Sequence, residues 1–264
     1  MRIVKLRDIS ELKTGPFGTQ FRASEYVTEG IPVINVKNIG YGSLLVSGLD
    51  HVSENTLERL SEHKLQEGDI VFGRKGSVDR HCLIRKGQDG WMQGSDCIRV
   101  RFTDAIVYPE FVSYYLLTDA VKMKINNSAV GSTMASLNTD ILGDIDIILP
   151  DCEEQKRIAL ILGTIDKKIS NNNQINDYLC AQLQILFSYL FNISVMPESW
   201  TQGVLADIAN ITMGQSPSGE SFNTQGNGYP FYQGSTDFGT IFPAKRMYTD
   251  CLLYTSPSPR DVEE

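Results

Sequence analysis

Hydrophobic positions along this chain change their period once, near residue 150. Before that point they come in short apolar or alternating runs bounded by Gly, Asp and Pro: IPVINVKNI (31–39), GDIVFGRK (68–75), HCLIRK (81–86), DCIRVRF (96–102) and DIDIILP (144–150). Such runs predict strands. One segment, YPEFVSYYLLTDAVKMKI (108–125), has helical spacing with Pro109 in its first turn, and it predicts a single helix. The order is irregular, with no repeated strand-helix-strand crossover. The expected fold class is therefore α+β, a mixed domain over residues 1–150.

After residue 150 the period becomes that of a rod. Ile158, Leu162, Ile165, Ile169, Asn172, Asn176, Leu179, Leu183, Leu186 and Leu190 follow one another in alternating steps of four and three. This is a coiled-coil seam, and it predicts one long helix over 151–194, roughly 60 Å for forty residues. Ile161, Ile175 and Tyr189 widen the seam towards a bundle. Gly163 costs the helix up to ~1 kcal/mol relative to Ala. Asn172 and Asn176 read either as a frayed middle or as devices fixing register with a partner helix. Apolar seam residues resume in phase on both sides, which favours register.

The helix start also contains the letters of a metal-dependent nuclease, Pro150-Asp151 and then Glu154-Gln155-Lys156. That chemistry needs its acids on neighbouring strands around a metal, whereas these two lie three apart at the head of a helix. A capping box explains them better, with Asp151 as N-cap and Glu154 reciprocating.

The chain also repeats itself. LRDIS (6–10) returns as LADIA (205–209), KTGPFG as TMGQSP, and EGIPVINVKNIG (29–40) as NGYPFYQGSTDFG (227–239). The near-constant offset predicts a tandem duplication whose second copy occupies 198–250. CLLYTSPSPRDVEE (251–264) leaves the pattern. Codons for Cys251 to Asp261 can spell a transposase-type sequencing adapter, so this tail is expected to be non-native.

Composition adds bounds. With 264 residues, 41% hydrophobic and 21% charged, the chain is in the ordinary globular range. No apolar run approaches the length of a membrane span, and the cysteines lack close pairs, so a soluble cytoplasmic protein is expected. The net charge of −8 is unpromising for a nucleic-acid binder, yet the cations cluster. Arg74, Lys75, Arg80, Arg85 and Lys86 face only Asp79 between residues 71 and 86, and Arg99 and Arg101 follow. That reads as a local basic footprint.

Candidate chemistry is otherwise sparse. His81, Cys82 and Cys97 fall short of the four ligands of a structural zinc site, and buried strand thiols are the simpler reading. Ser77 and Ser95 have no recognisable base. No dinucleotide fingerprint, phosphate loop or S-adenosylmethionine pocket is legible, so no cofactor and no metal is expected. The loop GRKGSVDR (73–80) offers Arg74, Lys75, Ser77 and Arg80 between glycines, which suits phosphate and guanine contacts. A solvated hairpin turn fits these residues equally well. Weaker candidates are Asn35, Lys37 and Asn38 in NVKN, with Ser132 and Thr133 in VGST.

Taken together, these stretches resemble the DNA-specificity subunit of type I restriction-modification systems. The resemblance runs over nearly all of 1–250. It rests on LxDI with a Gly-rich turn and GIPVINVKNI, on EGDIVFGRKGSVDRHCLI, and most specifically on LNTDILGDIDIILPDCEEQKRIALILGTIDKKI. It implies a first target-recognition domain, a spacer helix, and a second recognition domain with its own helix, of which only the first part is present here. It implies no catalysis by this chain. Double-stranded DNA, methyltransferase (M) subunits and a restriction/translocase (R) subunit would be the partners, with helix-mediated self-association also open. Rival readings are a fragment of a single-chain restriction-modification enzyme, and a helix-based interaction scaffold without DNA binding.

Overall fold

The computed structural model describes residues 2–130, 135–191, 197, 199–211, 219–232, 237 and 247–250. These fall into two compact units, 1–183 and 184–264. The predicted tail 251–264 lies outside the described residues.

The first unit is built on three sheets. Its ends are tied by β1 (Arg2–Lys5) and β11 (Asp146–Leu149), antiparallel from Arg2↔Leu149 to Lys5↔Asp146. A helical turn, α1 (Leu6–Ile9), leads into the main sheet. That sheet runs β2 (Ser10–Thr14), β10 (Cys97–Phe102), β7 (Ile70–Gly73), β8 (His81–Leu83) and β5 (Tyr41–Gly42). A smaller sheet runs β3 (Tyr26–Val27), β6 (Asp50–Val52), β4 (Ile31–Ile34) and β9 (Met92–Gln93), with α2 (Glu54–Arg59) following β6.

Strand β7 explains why its sequence is unbroken IVFG rather than alternating. Ile70 and Phe72 enter the largest core cluster, with Ile98, Val112, Leu116 and Leu142. Val71 faces the other way, into a second cluster with Ile34, Leu65, Cys82 and Cys97. A strand buried on both faces reads as a continuous apolar run. The expected buried thiols are these two cysteines. Burial pushes the Cys82 thiol up to about 12 and raises Cys97 further.

The helix expected over 108–125 is two helices, α3 (Pro109–Leu116) and α4 (Asp119–Ser128). Thr118 adopts an extended ψ of 143° between them, and its hydroxyl donates to the Tyr115 carbonyl at 2.8 Å. A Thr-Asp pair favours helix starts, and here it restarts the chain in a new direction. A short helix, α5 (Thr139–Gly143), capped by Asn138, precedes β11.

The long helix α6 spans Cys152–Leu190, 39 residues and about 58 Å. Asp151 caps it as expected, accepting the Glu154 N–H at 2.9 Å. The reciprocal half of the box is absent among the described residues: Glu154 pairs with Arg157 at 2.8 Å instead. Gln155 and Ala159 are buried against the domain, and beyond them the seam stands in solvent. Ile165, Ile169, Leu179, Leu183, Leu186 and Leu190 are each more than half exposed within this chain, while Ile158 and Leu162 are half-buried. Asn172 and Asn176 are exposed too.

In the second unit the described strands are β12 (Phe222–Asn223), β13 (Tyr229–Phe231) and β14 (Met247–Thr249), ordered β12-β14-β13. In the first unit Val52 pairs with both Tyr26 and Ile31, and here Thr249 pairs with both Phe222 and Tyr229. Gly30 and Gly228 occupy the same place. Both have positive φ, 153° and 92°, and a Cβ on either would meet a carbonyl, that of Val52 or of Thr249.

Candidate nucleic-acid interface

The registers of the main sheet bring one set of loops to one end. Thr14 pairs with Ile98, Cys97 with Gly73, Phe72 with His81, and His81 with Tyr41. The loops leaving β2 and β7 and those entering β10, β8 and β5 therefore share that end. At about 4.8 Å between strands, the row from β2 to β5 is roughly 19 Å wide.

GRKGSVDR sits in the middle of this row. The Arg74 N–H donates to the Asp96 carbonyl at 2.8 Å, and the Arg74 carbonyl accepts from Leu137 N–H at 2.8 Å. Gly76 N–H donates to the Ala135 carbonyl at 3.0 Å. The residues flanking 131–134 are thus strapped to this loop, although Ser132 and Thr133 lie outside the described residues. NVKN lies alongside: a Cβ on Gly73 would come within 3.3 Å of Val36 Cγ1.

The four residues expected in GRKGSVDR divide by partner. Arg74 forms no ion pair among the described residues, and its buried Nε has no hydrogen-bond acceptor. Arg80 has no carboxylate either, and its guanidinium donates to Ser77 Oγ at 2.7 Å, so Ser77 aims it. Lys75 pairs with Asp96 at 3.2 Å, both about half exposed. Such a pair is worth under ~1 kcal/mol, so a phosphate can take the ammonium at small cost.

NVKN is different, and two of its three candidates are structural. Asn38 is fully buried, its amide donating to the Leu45 and Ser47 carbonyls and accepting from Asn35 N–H. It cannot reach a ligand. Asn35 donates to Asp50 at 2.8 Å and to the Tyr26 hydroxyl at 3.2 Å, and its Oδ1 sits where a Cβ on Gly94 would be. Lys37 is exposed but paired with Asp50 at 2.8 Å, and this cation, ahead of the Asn35 hydrogen bond, holds the Asp50 carboxyl below its ordinary value.

The single basic footprint over 71–86 does not form. Arg74, Lys75 and Arg80 share one end of the sheet, while Arg85 lies beyond the far end of β8, bonded to Glu110 at 2.5 Å. Arg99 is 2% exposed, and Arg101 is held by Asp69. Period-two alternation sends sequence neighbours to opposite faces, and strand length sends them to opposite ends. Sequence reading missed Tyr41, 54% exposed at the same end, with Arg80 Cζ 6.0 Å from its ring centre. The only linear signal is an aromatic between two glycines, Gly40 and Gly42.

Residues 1–180 match the family described as the type I restriction modification DNA specificity domain. The chain belongs to this family. A Methanocaldococcus jannaschii protein named for the specificity subunit of the type I restriction enzyme MjaX is 27% identical over 247 residues, 84% of this chain and 56% of that protein. The HindI specificity subunit of Haemophilus influenzae is 23% identical across 71% of this chain and 43% of its own length. The chain thus spans about half the length of the curated relatives it matches. The crystal structure of a type I restriction-modification S subunit from M. genitalium superposes with a TM-score of 0.50 at 17% identity, covering 88% of this chain and 59% of that one, a likeness of fold.

Proposed function

We propose that the first unit reads one half of a bipartite double-stranded DNA target through the loop end of its main sheet. The observation that carries this is the convergence of four loops around Arg74 and Arg80, two arginines without carboxylate partners among the described residues. Arg forks suit phosphates and guanine edges, and the backbone N–H groups of the glycine-rich loop allow close approach. Lys75 joins them on release from Asp96, and Ser132 and Thr133, which lie outside the described residues, are assigned to DNA on their sequence alone. Lys37 borders the surface, and Asn35 shapes it.

The recurrence of the three-stranded arrangement around Val52 and Thr249 supports a tandem duplication, with residues 198–250 the start of a second recognition domain. The exposed seam of α6 supports a spacer that packs against another helix, from a second recognition half or a second copy of the chain. In the cytoplasmic complex the chain would dock methyltransferase (M) subunits and a restriction/translocase (R) subunit, and those subunits would carry the chemistry.

The test is the salt dependence of duplex binding. Arg74→Ala combined with Arg80→Ala weakens binding and lowers the log–log salt slope by up to about two if both arginines touch phosphate. An unchanged slope removes this loop from the interface.

A further inference from the structure

We propose that Tyr41, Arg80 and Lys122 form a phosphate clamp that carries the DNA interface from the sheet onto α4. This rests on the DNA-reading assignment above, and adds to it two residues distant in sequence from the basic loop. Tyr41 opens β5, the edge strand of the main sheet, directly beside His81. The residue is 54% exposed and its ring has two cations near it: Arg80 Cζ lies 6.0 Å and Lys122 Nζ 5.5 Å from the ring centre.

The helix break at Thr118 makes this possible. Gly42, with φ 73°, lets β5 close on the end of α3, where a Cβ would meet Leu117 Cδ1 at 3.0 Å. The restarted α4 then brings Lys122 over Tyr41. A continuous helix through 118 would have carried Lys122 in another direction.

Charge and exposure point to an anion. Two cations approach one aromatic ring, and Arg80 has no carboxylate partner among the described residues. Among the described residues the one acid paired with the cluster is Asp119, 3.3 Å from Lys122 with its side chain 92% exposed, a contact that contributes little in water. Asp79, next to Arg80 in sequence, pairs with neither cation. A cation–π pair at an exposed site leaves N–H donors free, and the Tyr41 hydroxyl adds another. The chemistry that satisfies two cations and a phenol together is a phosphodiester. Because β5 is two strands from β7, the clamp lies about 10 Å along the row from Arg74, a few base pairs along a duplex.

The experiment uses the full chain with a mixed-sequence duplex, measuring affinity across a salt series. Lys122→Gln should weaken binding roughly five- to tenfold near 0.1 M salt and lower the slope by about one, with Lys122→Arg restoring both. Asp119→Asn, which frees Lys122, should tighten binding. Tyr41→Leu should weaken binding more than Tyr41→Phe. If Arg74→Ala lowers the slope while Lys122→Gln and Asp119→Asn leave affinity and slope unchanged, the clamp is wrong and the reading of the basic loop stands. If neither Arg74→Ala nor Lys122→Gln moves the slope, the DNA-reading surface itself is misplaced.

Discussion

Arg99 sits in β10, an interior strand of the main sheet, at 2% exposure, giving its two η nitrogens to the Glu62 carbonyl and the Glu11 carboxylate. Arg74, just past the end of the neighbouring strand β7, has no such partner among the described residues, and that difference separates a core arginine from a candidate for binding. Residue type and spacing do not encode it, which is why Asn38 looked available and is buried. What the sequence did make legible at this scale is the burial of the strand thiols, because an apolar context leaves its mark in composition. His81 illustrates the opposite case. It is fully buried, with Nε2 3.0 Å from Ser113 Oγ, and burial lowers its pKa to about 4. Above pH ~6.5 neither folded nor unfolded chain protonates it. Between there and about 4 the unfolded chain takes a proton that the folded one refuses, so stability falls as pH falls, by up to about 3 kcal/mol. His63, also lowered mainly by burial, acts in the same direction. Urea midpoints measured from pH 7 to 4.5 should drop in the wild type and drop less in His81→Gln. Equal slopes in the two proteins would show that His81 is not the titrating group.

Among elements, the start of α6 is the joint that matters most, and only half of it could be read from sequence. Asp151 announces itself as an N-cap by its place before a helical period. Gln155 does not, although it is 1% exposed. It accepts from Tyr108 N–H at 2.9 Å and donates to the Ile106 and Pro150 carbonyls, tying the approach to α3 and the end of β11 to the first turn of α6. Farther along, the Tyr114 hydroxyl donates to Asp166 at 2.6 Å and lies 3.6 Å from where a Gly163 Cβ would be, so the glycine in the helix sits beside a hydroxyl from α3. Most of these links were invisible because they join residues some fifty positions apart. The split of 108–125 was missed for another reason: apolar spacing continues across Thr118 in sequence while the axis turns. The two residues of the joint should separate in a denaturant titration. Asp151→Ala loses one cap and should cost ~1 kcal/mol. Gln155→Ala removes a buried amide that satisfies three backbone groups and should cost more, about 2–4 kcal/mol. Equal costs would mean that Gln155 fills space and does not hold the joint.

For the whole molecule the open question is what covers α6. Leu179, Leu183, Leu186 and Leu190 are 51–64% exposed on one stripe, in phase with Ile165 and Ile169. A single exposed leucine needs no explanation, but a stripe held over several turns marks a surface that meets another. Each leucine fully buried there would contribute about 1.5–3 kcal/mol before the entropy of association is charged against it. Asn172 and Asn176 interrupt the stripe at its middle, where a partner helix in register would pair them and one out of register would leave them facing leucine. On the proposed packing the stripe would supply adhesion and the asparagines alignment. Leu183→Glu tests the adhesion directly, because it removes one apolar contact and forces a carboxylate into the seam. Light scattering of the wild-type chain should report an assembly heavier than the 29.5 kDa protomer, and Leu183→Glu should return the mass to that of the protomer. Helical content should be unchanged by circular dichroism, since a solvent-facing glutamate is a good helix former. The same mass for both proteins would show that the seam awaits a different partner, and would sink self-association as the way this rod is covered.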